Sequence, residues 1–226
     1  MNLTIIIPAY NAESFIENTI EQLLNNFNGS EIIIINDGSK DKTLEKIQKY
    51  ESKIKIINHT NNLGKGMAIR NGFDIATNDN IIFTDADLPY GIENMQKMYG
   101  ILENNDNSMV IGYRKYFKEN LWRHMTHIGM NIAIQFLFWF NIYDTQCGLK
   151  GFKRNFIKSI LSKLISNNFT IDVELMYLAK INKQKIIKVL VDPKMSKDTS
   201  TIKIKDIIIM IIEILKIRFN KNYFKK

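Results

Sequence analysis

The first half of the chain alternates short apolar runs with longer segments whose apolar side chains recur every three or four positions. The apolar runs predict buried strands, and the three-to-four spacing predicts amphipathic helices between them. Predicted strands are 3–7, 32–35, 54–57 and 81–84; predicted helices are 16–27, 42–50 and 67–76. Asn11 is a candidate N-cap for the first helix. This alternation predicts an α/β fold with a mostly parallel sheet and helices on both faces.

The second half is less regular. Its patterns predict helices at 92–104, 122–140 and 172–180 and strands at 108–112 and 186–191. No internal repeat or low-complexity linker interrupts them, and 226 residues are enough for one domain with a real core. We therefore expect a single domain over residues 1–201.

Residues 202–226 form a separate, amphipathic segment. On a helical wheel its polar side chains share one broad face: Lys203, Lys205, Asp206, Glu213, Lys216 and Asn220. Its apolar side chains lie mainly opposite: Ile204, Ile207, Ile208, Ile211, Ile212, Leu215 and Phe219. The longest apolar run, 207–212, falls far short of the ~20 residues that span a bilayer. The segment is either an interfacial membrane helix or a helix docked on the protein's own core, and its basic, aromatic tail (221–226) favours the membrane surface.

Charge and cysteine content narrow the class of protein. The net charge is +8, and residues 202–226 hold seven Lys or Arg against two acidic residues, which is typical of a surface attracted to anionic lipid. No helix-turn-helix, zinc-ligand spacing or RNA-binding aromatic signature is present, so we expect no nucleic-acid partner. One cysteine permits no internal disulfide, and the N-terminus enters a strand without a signal-peptide pattern. These features predict a peripheral protein at the cytoplasmic face of a membrane.

The most informative motif is Asp85-Ala86-Asp87, which follows the predicted strand 81–84. Side chains two apart on an extended chain point to the same side, so the two carboxylates converge. Open α/β sheets bind their ligands at the carboxyl ends of the strands. Paired carboxylate oxygens suit Mg²⁺ or Mn²⁺, which commonly bridges substrate phosphates. Asp85 and Asp87 are therefore the predicted metal ligands.

Four further motifs accompany the acidic pair in a fixed order: Ile-Ile-Ile-Pro-Ala-Tyr-Asn-Ala-Glu (5–13), Ile-Asn-Asp-Gly-Ser-Lys-Asp (35–41), Asn-Leu-Gly-Lys-Gly (62–66) and Asp-Thr-Gln-Cys-Gly-Leu-Lys (144–150). With these motifs the chain resembles the family 2 glycosyltransferases of the GT-A fold. More narrowly, it resembles the dolichyl- and polyprenyl-phosphate hexose synthases. The resemblance extends from Leu3 to about Arg218 and implies transfer of a hexose from a nucleoside diphosphate sugar, UDP-glucose or GDP-mannose, to a polyprenyl phosphate.

The resemblance also implies a donor site. Its residues are Pro8, Ala9, Tyr10, Glu13, Asp37, Lys65, Arg70, Asp85 and Ala86. Some relatives carry a metal-holding Gln two positions after the second Asp, where this chain has Pro89. Asp37 is alternatively a turn residue, and Lys65 and Arg70 are alternatively surface cations.

Arg114, Arg123 and Gln146 are the residues that would hold the acceptor phosphate. The two arginines are spaced to bracket a phosphate, which guanidinium groups bind with two hydrogen bonds, although a surface ion pair remains an alternative. Asp172 is expected to orient the donor sugar, or to serve only as a helix-terminal carboxylate. Asp87, Asp172, Arg114 and Arg123 are thus the candidate catalytic residues, while Cys147 is not expected to act as a nucleophile.

A lipid phosphate acceptor shapes the expected mechanism. Such a phosphate has a second pKa near ~6, so it is already a nucleophile and needs no general base. One rival is a family 2 enzyme that glycosylates a sugar hydroxyl, which would need a base. Another is a sugar nucleotidyltransferase, whose usual Gly-rich loop is replaced here by Pro-Ala-Tyr-Asn. A third is a non-catalytic membrane-associated nucleotide-sugar-binding protein; no protein partner is identified.

Overall fold

The computed structural model describes residues 1–106, 108–114, 121–140, 144–192 and 204–224, with side chains described outside 121–128 and 204–207. Its strands are β1 Leu3–Ala9, β2 Glu31–Asp37, β3 Lys55–His59, β4 Asn80–Phe83, β5 Ser108–Tyr113, β6 Lys150–Lys153 and β7 Lys185–Leu190. Its helices are α1 Ile16–Asn26, α2 Thr43–Gln48, α3 Lys65–Ile75, α4 Gly91–Glu103, α5 Leu121–Phe138, α6 Arg154–Ile160, α7 Ile171–Ile181 and α8 Ile204–Arg218. Two 3-10 turns lie at Leu161–Lys163 and Lys221–Phe224.

One sheet of seven strands organises the described residues, in the order β3-β2-β1-β4-β6-β5-β7. All neighbouring pairs are parallel except the two that involve β6, which runs antiparallel between β4 and β5. The predicted mostly parallel α/β sheet is confirmed. Strand β6 was not predicted, because Lys-Gly-Phe-Lys has neither an apolar run nor a clear alternation. Helix α6, which follows it, was not predicted either.

The two faces of the sheet are both covered by helices. Alternate strand residues such as Ile5 and Ile6 point to opposite faces, as the strand period of two requires. Helices α1, α2 and α4 supply the apolar cluster on one face, and α3, α5, α6, α7 and α8 supply the cluster on the other. The carboxyl ends of the parallel strands are left for the loops that carry the candidate site.

Asn11 does not cap α1. The helix begins after Phe15 and has no side-chain cap, whereas the Asn11 Oδ1 accepts a hydrogen bond from the backbone N–H of Lys40. Asn11 adopts a left-handed backbone conformation, with φ of 50°. Its side chain therefore joins the loop after β1 to the loop after β2, at the edge of the sheet where the motifs meet.

The C-terminal helix α8 packs on the protein and also exposes an apolar face. Ile214 and Ile217 are buried, whereas six large apolar side chains among the described residues of the C-terminal segment are exposed: Ile208, Ile211, Ile212, Leu215, Phe219 and Phe224. Glu213, which the wheel placed with the lysines, lies on the buried side and bonds to Asn168. Residues 193–203 lie outside the described part, so a domain boundary at residue 201 stays a prediction.

The described helices do not include one that combines the length and hydropathy needed to cross a bilayer.

Candidate active site

The acidic pair lies just beyond the end of β4. The backbone N–H of Thr84 still bonds to the Ile6 carbonyl, which keeps this turn beside β1. Asp85 is half-buried and Asp87 is exposed. A Cβ atom on Gly148 would come within 2.1 Å of Asp85 Oδ2, so the Gly148 backbone approaches the carboxylate as closely as a glycine allows.

Lys65 forms an ion pair with the first of these carboxylates, Asp85. Its Nζ lies 2.5 Å from Asp85 Oδ1, and it stands at the first position of α3. Burial by itself would lower the pKa of Lys65, but the nearby carboxylates of Asp85 and Asp172 raise it above its ordinary value. Lys65 therefore stays positively charged at neutral pH, at a helix N-terminus where backbone N–H groups also favour anions.

A buried ion pair extends the cluster. Asp172 Oδ1 lies 2.6 Å from Nζ of Lys150, and both side chains are almost fully buried. The same ammonium donates to the carbonyl oxygens of Thr145 and Cys147. Together with Lys65 and its partner Asp85, this pair forms a cluster of two carboxylates and two ammonium groups. The role of Lys150 was missed, because a lysine in sequence carries no signal that it will be buried.

Arg114 forms an ion pair rather than standing alone. Its Nε and Nη2 donate to the two carboxylate oxygens of Asp144 at 2.8 and 3.0 Å, and its backbone N–H donates to the same group. The Asp144 side chain is completely buried and the Arg114 side chain nearly so. Of the other predicted phosphate ligands, Gln146 is partly exposed, and the Arg123 side chain lies outside the described residues. The phosphate role of all three stays a prediction.

Asp37, predicted to contact the donor, is buried beneath the loop after β3. Its Oδ1 lies 2.7 Å from Nδ1 of His59 and accepts from the backbone N–H of Leu63, while its Oδ2 accepts from the backbone N–H of Gly64. Three of about four acceptor positions on the carboxylate are thus used within the protein. In the structure, Asp37 fixes the loop that leads into α3 and Lys65.

The predicted donor residues of the first motif lie around the end of β1. Tyr10 is 46% exposed, and Ala9 is buried. Glu13 is exposed, and its carboxylate accepts a hydrogen bond from the backbone N–H of Lys42. Pro8 is partly exposed within β1.

The remaining two donor residues contact different parts of the protein. Ala86 is buried, and its carbonyl accepts from the hydroxyl of Thr19 on α1 at 2.6 Å. Arg70 donates to the side-chain oxygen of Asn167 at 3.2 Å. The structure brings Arg70 against the loop before α7, a segment with no recognisable motif.

Cys147 and Tyr90 lie beneath this edge of the sheet. Burial, and then the negative charge of Asp144, raise the pKa of the Cys147 thiol to about 11. Burial and the neighbouring thiol likewise raise the pKa of Tyr90 far above its ordinary value. A protonated thiol is a poor nucleophile, which agrees with the expectation that Cys147 has no such role.

The acidic pair offers a metal few protein ligands. Among the described residues no group of three or more His, Cys, Asp or Glu side chains is arranged to hold an ion. Pro89 contributes no ligand atom. A pair of carboxylates is sufficient for Mg²⁺ or Mn²⁺, because these ions are commonly held by one or two carboxylates together with water and substrate phosphates.

Comparisons with known proteins agree with this geometry. The sequence profile described as Glycosyl transferase family 2 matches residues 4–161. A dolichyl-phosphate beta-glucosyltransferase of Trichomonas vaginalis is 32% identical, over 95% of this chain and 72% of its own length. A UDP-N-acetylglucosamine–dolichyl-phosphate N-acetylglucosaminyltransferase of Methanococcus voltae is 28% identical, over 80% of this chain and 81% of its own.

The fold has a solved counterpart. Glucosyl-3-phosphoglycerate synthase from Mycobacterium tuberculosis, crystallised with Mn²⁺, UDP and glucosyl-3-phosphoglycerate, superposes with a TM-score of 0.71. The match covers 96% of this chain and 79% of that one, at 16% identity, and so shows a shared GT-A fold. The fold, the order of the motifs and the profile match lead to one conclusion: the chain belongs to glycosyl transferase family 2.

Proposed function

We propose that this protein transfers a hexose from a nucleoside diphosphate sugar to a polyprenyl phosphate at the cytoplasmic surface of a membrane. The observation that carries the proposal is the cluster just after β4, where Asp85 lies beside the charged Lys65 and the exposed Asp87 follows two residues later. This arrangement suits a diphosphate and a divalent cation, and not a neutral ligand.

The donor diphosphate is expected at the N-terminus of α3. Lys65 and the positive end of the α3 helix dipole offer positive charge there. Asp85 and Asp87 would hold Mg²⁺ or Mn²⁺, which would offset the charge that develops on the departing diphosphate. The solved GT-A neighbour was crystallised with Mn²⁺ and UDP, which supports this choice of ligand class.

The choice of a phosphate acceptor rests on the state of Asp172. Its carboxylate already accepts from the buried Lys150 ammonium at 2.6 Å. A carboxylate held in this way suits orientation of the donor sugar better than removal of a proton. A polyprenyl phosphate requires no proton removal, since its second pKa lies near ~6.

The curated relatives support the acceptor class more than the sugar. Both proteins described above are named for transfer to dolichyl phosphate, but one is named for glucose and the other for N-acetylglucosamine. The acceptor is therefore the property that relatives at this distance share. Glucose or mannose remains the predicted sugar.

Membrane contact is supported by an exposed apolar surface on α5, α8 and the residue that follows each of them; the two helices contact each other. We name it the α5–α8 surface, and its members are Ile132, Phe136, Trp139, Ile208, Ile211, Ile212, Leu215 and Phe219. Phe136 and Trp139 are 80% and 78% exposed. Large apolar patches on soluble proteins mark interaction sites, and the basic residues Lys216 and Arg218 on α8 favour anionic lipid.

The acceptor is tested by a comparison of polyprenyl phosphate, the corresponding polyprenol and a free sugar with one labelled donor and Mn²⁺. We expect label in lipid only with the phosphate. Label in the free sugar, without label in lipid, would favour the rival enzyme that glycosylates a sugar hydroxyl.

A further inference from the structure

The loop before α7, residues 164–170, packs directly against the start of α3. A Cβ atom on Gly64 would lie 2.3 Å from the Asn167 carbonyl oxygen, and one on Gly66 would lie 2.7 Å from that of Ser166. The Met67 backbone N–H also donates to the Asn167 carbonyl at 3.1 Å. The position of Lys65 therefore depends on where this loop lies.

Two carboxylates hold the opposite side of the loop. Glu174 is fully buried on α7, and its two oxygens accept the backbone N–H groups of Ile165 and Ser166 at 2.7 and 2.9 Å. Glu213 on α8 accepts from the Asn168 side chain at 2.7 Å and from the Thr170 hydroxyl.

The C-terminal segment supplies a second link through Glu174. The hydroxyl of Tyr223 donates to Glu174 Oε1, and the Tyr223 side chain is buried. Burial and the adjacent carboxylate raise the pKa of Tyr223 well above its ordinary value, so the hydroxyl keeps its proton at neutral pH. Glu213 thus contacts the loop directly, and Tyr223 contacts it through Glu174, from two points of the C-terminal segment.

These contacts form a continuous connection from the C-terminal helix to the donor site. Glu213 holds the loop 164–170, the loop abuts Gly64 and Gly66, and the next contact is that of Lys65 with Asp85. The sites for metal and diphosphate proposed above lie at the end of this connection. Helix α8 therefore contributes its exposed side chains to the α5–α8 surface, while its buried side is linked to the donor site through these contacts.

We propose that Glu213 and Tyr223 are positioning residues, through which the C-terminal helix holds the donor site in its binding geometry. The functional part of this inference rests on the proposed donor site. The structural part, the coupling of α8 to the start of α3, does not depend on it. Hydrogen–deuterium exchange tests the structural part, and nucleotide titration tests the functional part.

The structural part is tested by hydrogen–deuterium exchange on the 226-residue chain. Glu213→Gln, Thr170→Val and Tyr223→Phe should each speed amide exchange in residues 164–170 and 64–68. Glu103→Gln and Tyr99→Phe are matched controls, since the first weakens and the second removes another hydrogen bond between a tyrosine and a glutamate, on α4. Faster exchange confined to residues 204–224 would overturn the coupling.

Rescue separates positioning from a general loss of stability. Thr170→Ser keeps the hydroxyl that donates to Glu213 and should restore wild-type exchange, whereas Thr170→Val should not. Glu213→Gln leaves one acceptor oxygen for two donors. Combined with it, the Val variant should add less than its effect in the wild type, because both substitutions act on the same hydrogen bond. Equal effects of the Ser and Val variants would contradict the assignment.

The functional part is tested by titration with UDP and GDP in the presence of Mn²⁺. The affinity for the nucleotide that binds the wild type should fall about fivefold or more in Glu213→Gln, as coupling between sites typically gives. An unchanged affinity, despite faster exchange at the loop, would contradict positioning of the donor site. If neither nucleotide binds the wild type, the proposed donor fails, and the exchange data alone decide the coupling.

Discussion

The ammonium of Lys65 lies 2.5 Å from Asp85 Oδ1, although the two residues are 20 positions apart in the sequence. Asp85, the first carboxylate of the Asp-Ala-Asp motif, is thus paired with a cation. Asp87 is the more exposed of the two. Because exposure leaves room for an ion and its water ligands, we expect Asp87 to contribute most to metal-dependent binding of the donor.

Replacement of Asp87 should remove transfer, whereas replacement of Asp172 should only weaken it. Loss of a group that stabilises developing charge costs about 10²–10³-fold in rate, so Asp87→Asn should lower transfer at least that much. Asp172→Asn should keep measurable activity, because a phosphate acceptor needs no base. Initial rates on folded variants check this, and equal, complete loss in both would contradict the mechanism without a base.

The buried pair of Lys150 and Asp172 gives a prediction on stability. Lys150→Met leaves a buried carboxylate without its partner and should lower the free energy of unfolding by ~3–5 kcal/mol. The double variant Lys150→Met, Asp172→Leu removes both charges and should recover most of that loss. Urea denaturation measures the two variants and the wild type, and a double variant no more stable than the single one would argue against the pairing.

Gly64 should tolerate no side chain. It has a φ of 96°, and a Cβ atom there would lie 2.3 Å from the Asn167 carbonyl oxygen. Gly64→Ala should destabilise the fold and weaken nucleotide binding. Gly100 on α4 is the control, since a Cβ atom there meets nothing within 4 Å. Gly100→Ala should stabilise the protein by ~0.5–1 kcal/mol, and thermal unfolding compares the two; equal melting temperatures would contradict the close approach.

Acid should destabilise the protein through Asp144. Burial alone would raise the pKa of this carboxyl, but the hydrogen bonds and charge of Arg114 lower it below its ordinary value of 3.8. The unfolded chain then binds the proton more readily, so the stability that Asp144 contributes is present above about pH 3.8 and is lost as the pH falls further. Asp144→Asn should be less stable near neutral pH and should lose less stability on acidification. Urea denaturation at several pH values gives the free energy of unfolding of the wild type and of Asp144→Asn. The same dependence on pH in both proteins would contradict this pairing.

The α5–α8 surface should bind anionic vesicles. The triple variant Phe136→Ser, Trp139→Ser, Phe219→Ser removes its three most exposed aromatic side chains and should float less with such vesicles. Ile75→Ser, an exposed apolar residue on α3, is the control and should float like the wild type. Undiminished flotation of the triple variant would exclude this surface as the membrane contact.

The sequence predicted the strands of the first half well, because buried parallel strands are apolar runs and because Gly38 and the Asp-Ala-Asp motif follow the ends of β2 and β4. Strand β1 continues through Pro8 to Ala9, two residues beyond its predicted end. It did not predict β6, a four-residue strand whose polar residues gave no periodic signal. This strand is defined by its pairing with β4 on one side and β5 on the other, which are long-range contacts.

The site was predicted in part for a related reason. Asp85, Asp87 and Lys65 belong to short motifs whose spacing reflects the local turn, and the structure brings Lys65 onto Asp85. Lys150 and Glu213 acquire their partners only through long-range packing, so neither could be assigned a partner from local pattern. The alternative given for Arg114, an ion pair, is the arrangement found, although the pair is buried rather than on the surface.

The most direct test of the account is the transfer of label from a panel of nucleotide sugars into organic-extractable lipid, with purified protein, a short polyprenyl phosphate and Mn²⁺ or Mg²⁺. The account predicts label in lipid with one donor, lost in EDTA and in Asp87→Ala. Metal-dependent hydrolysis of a donor with no label in lipid would contradict a polyprenyl phosphate acceptor.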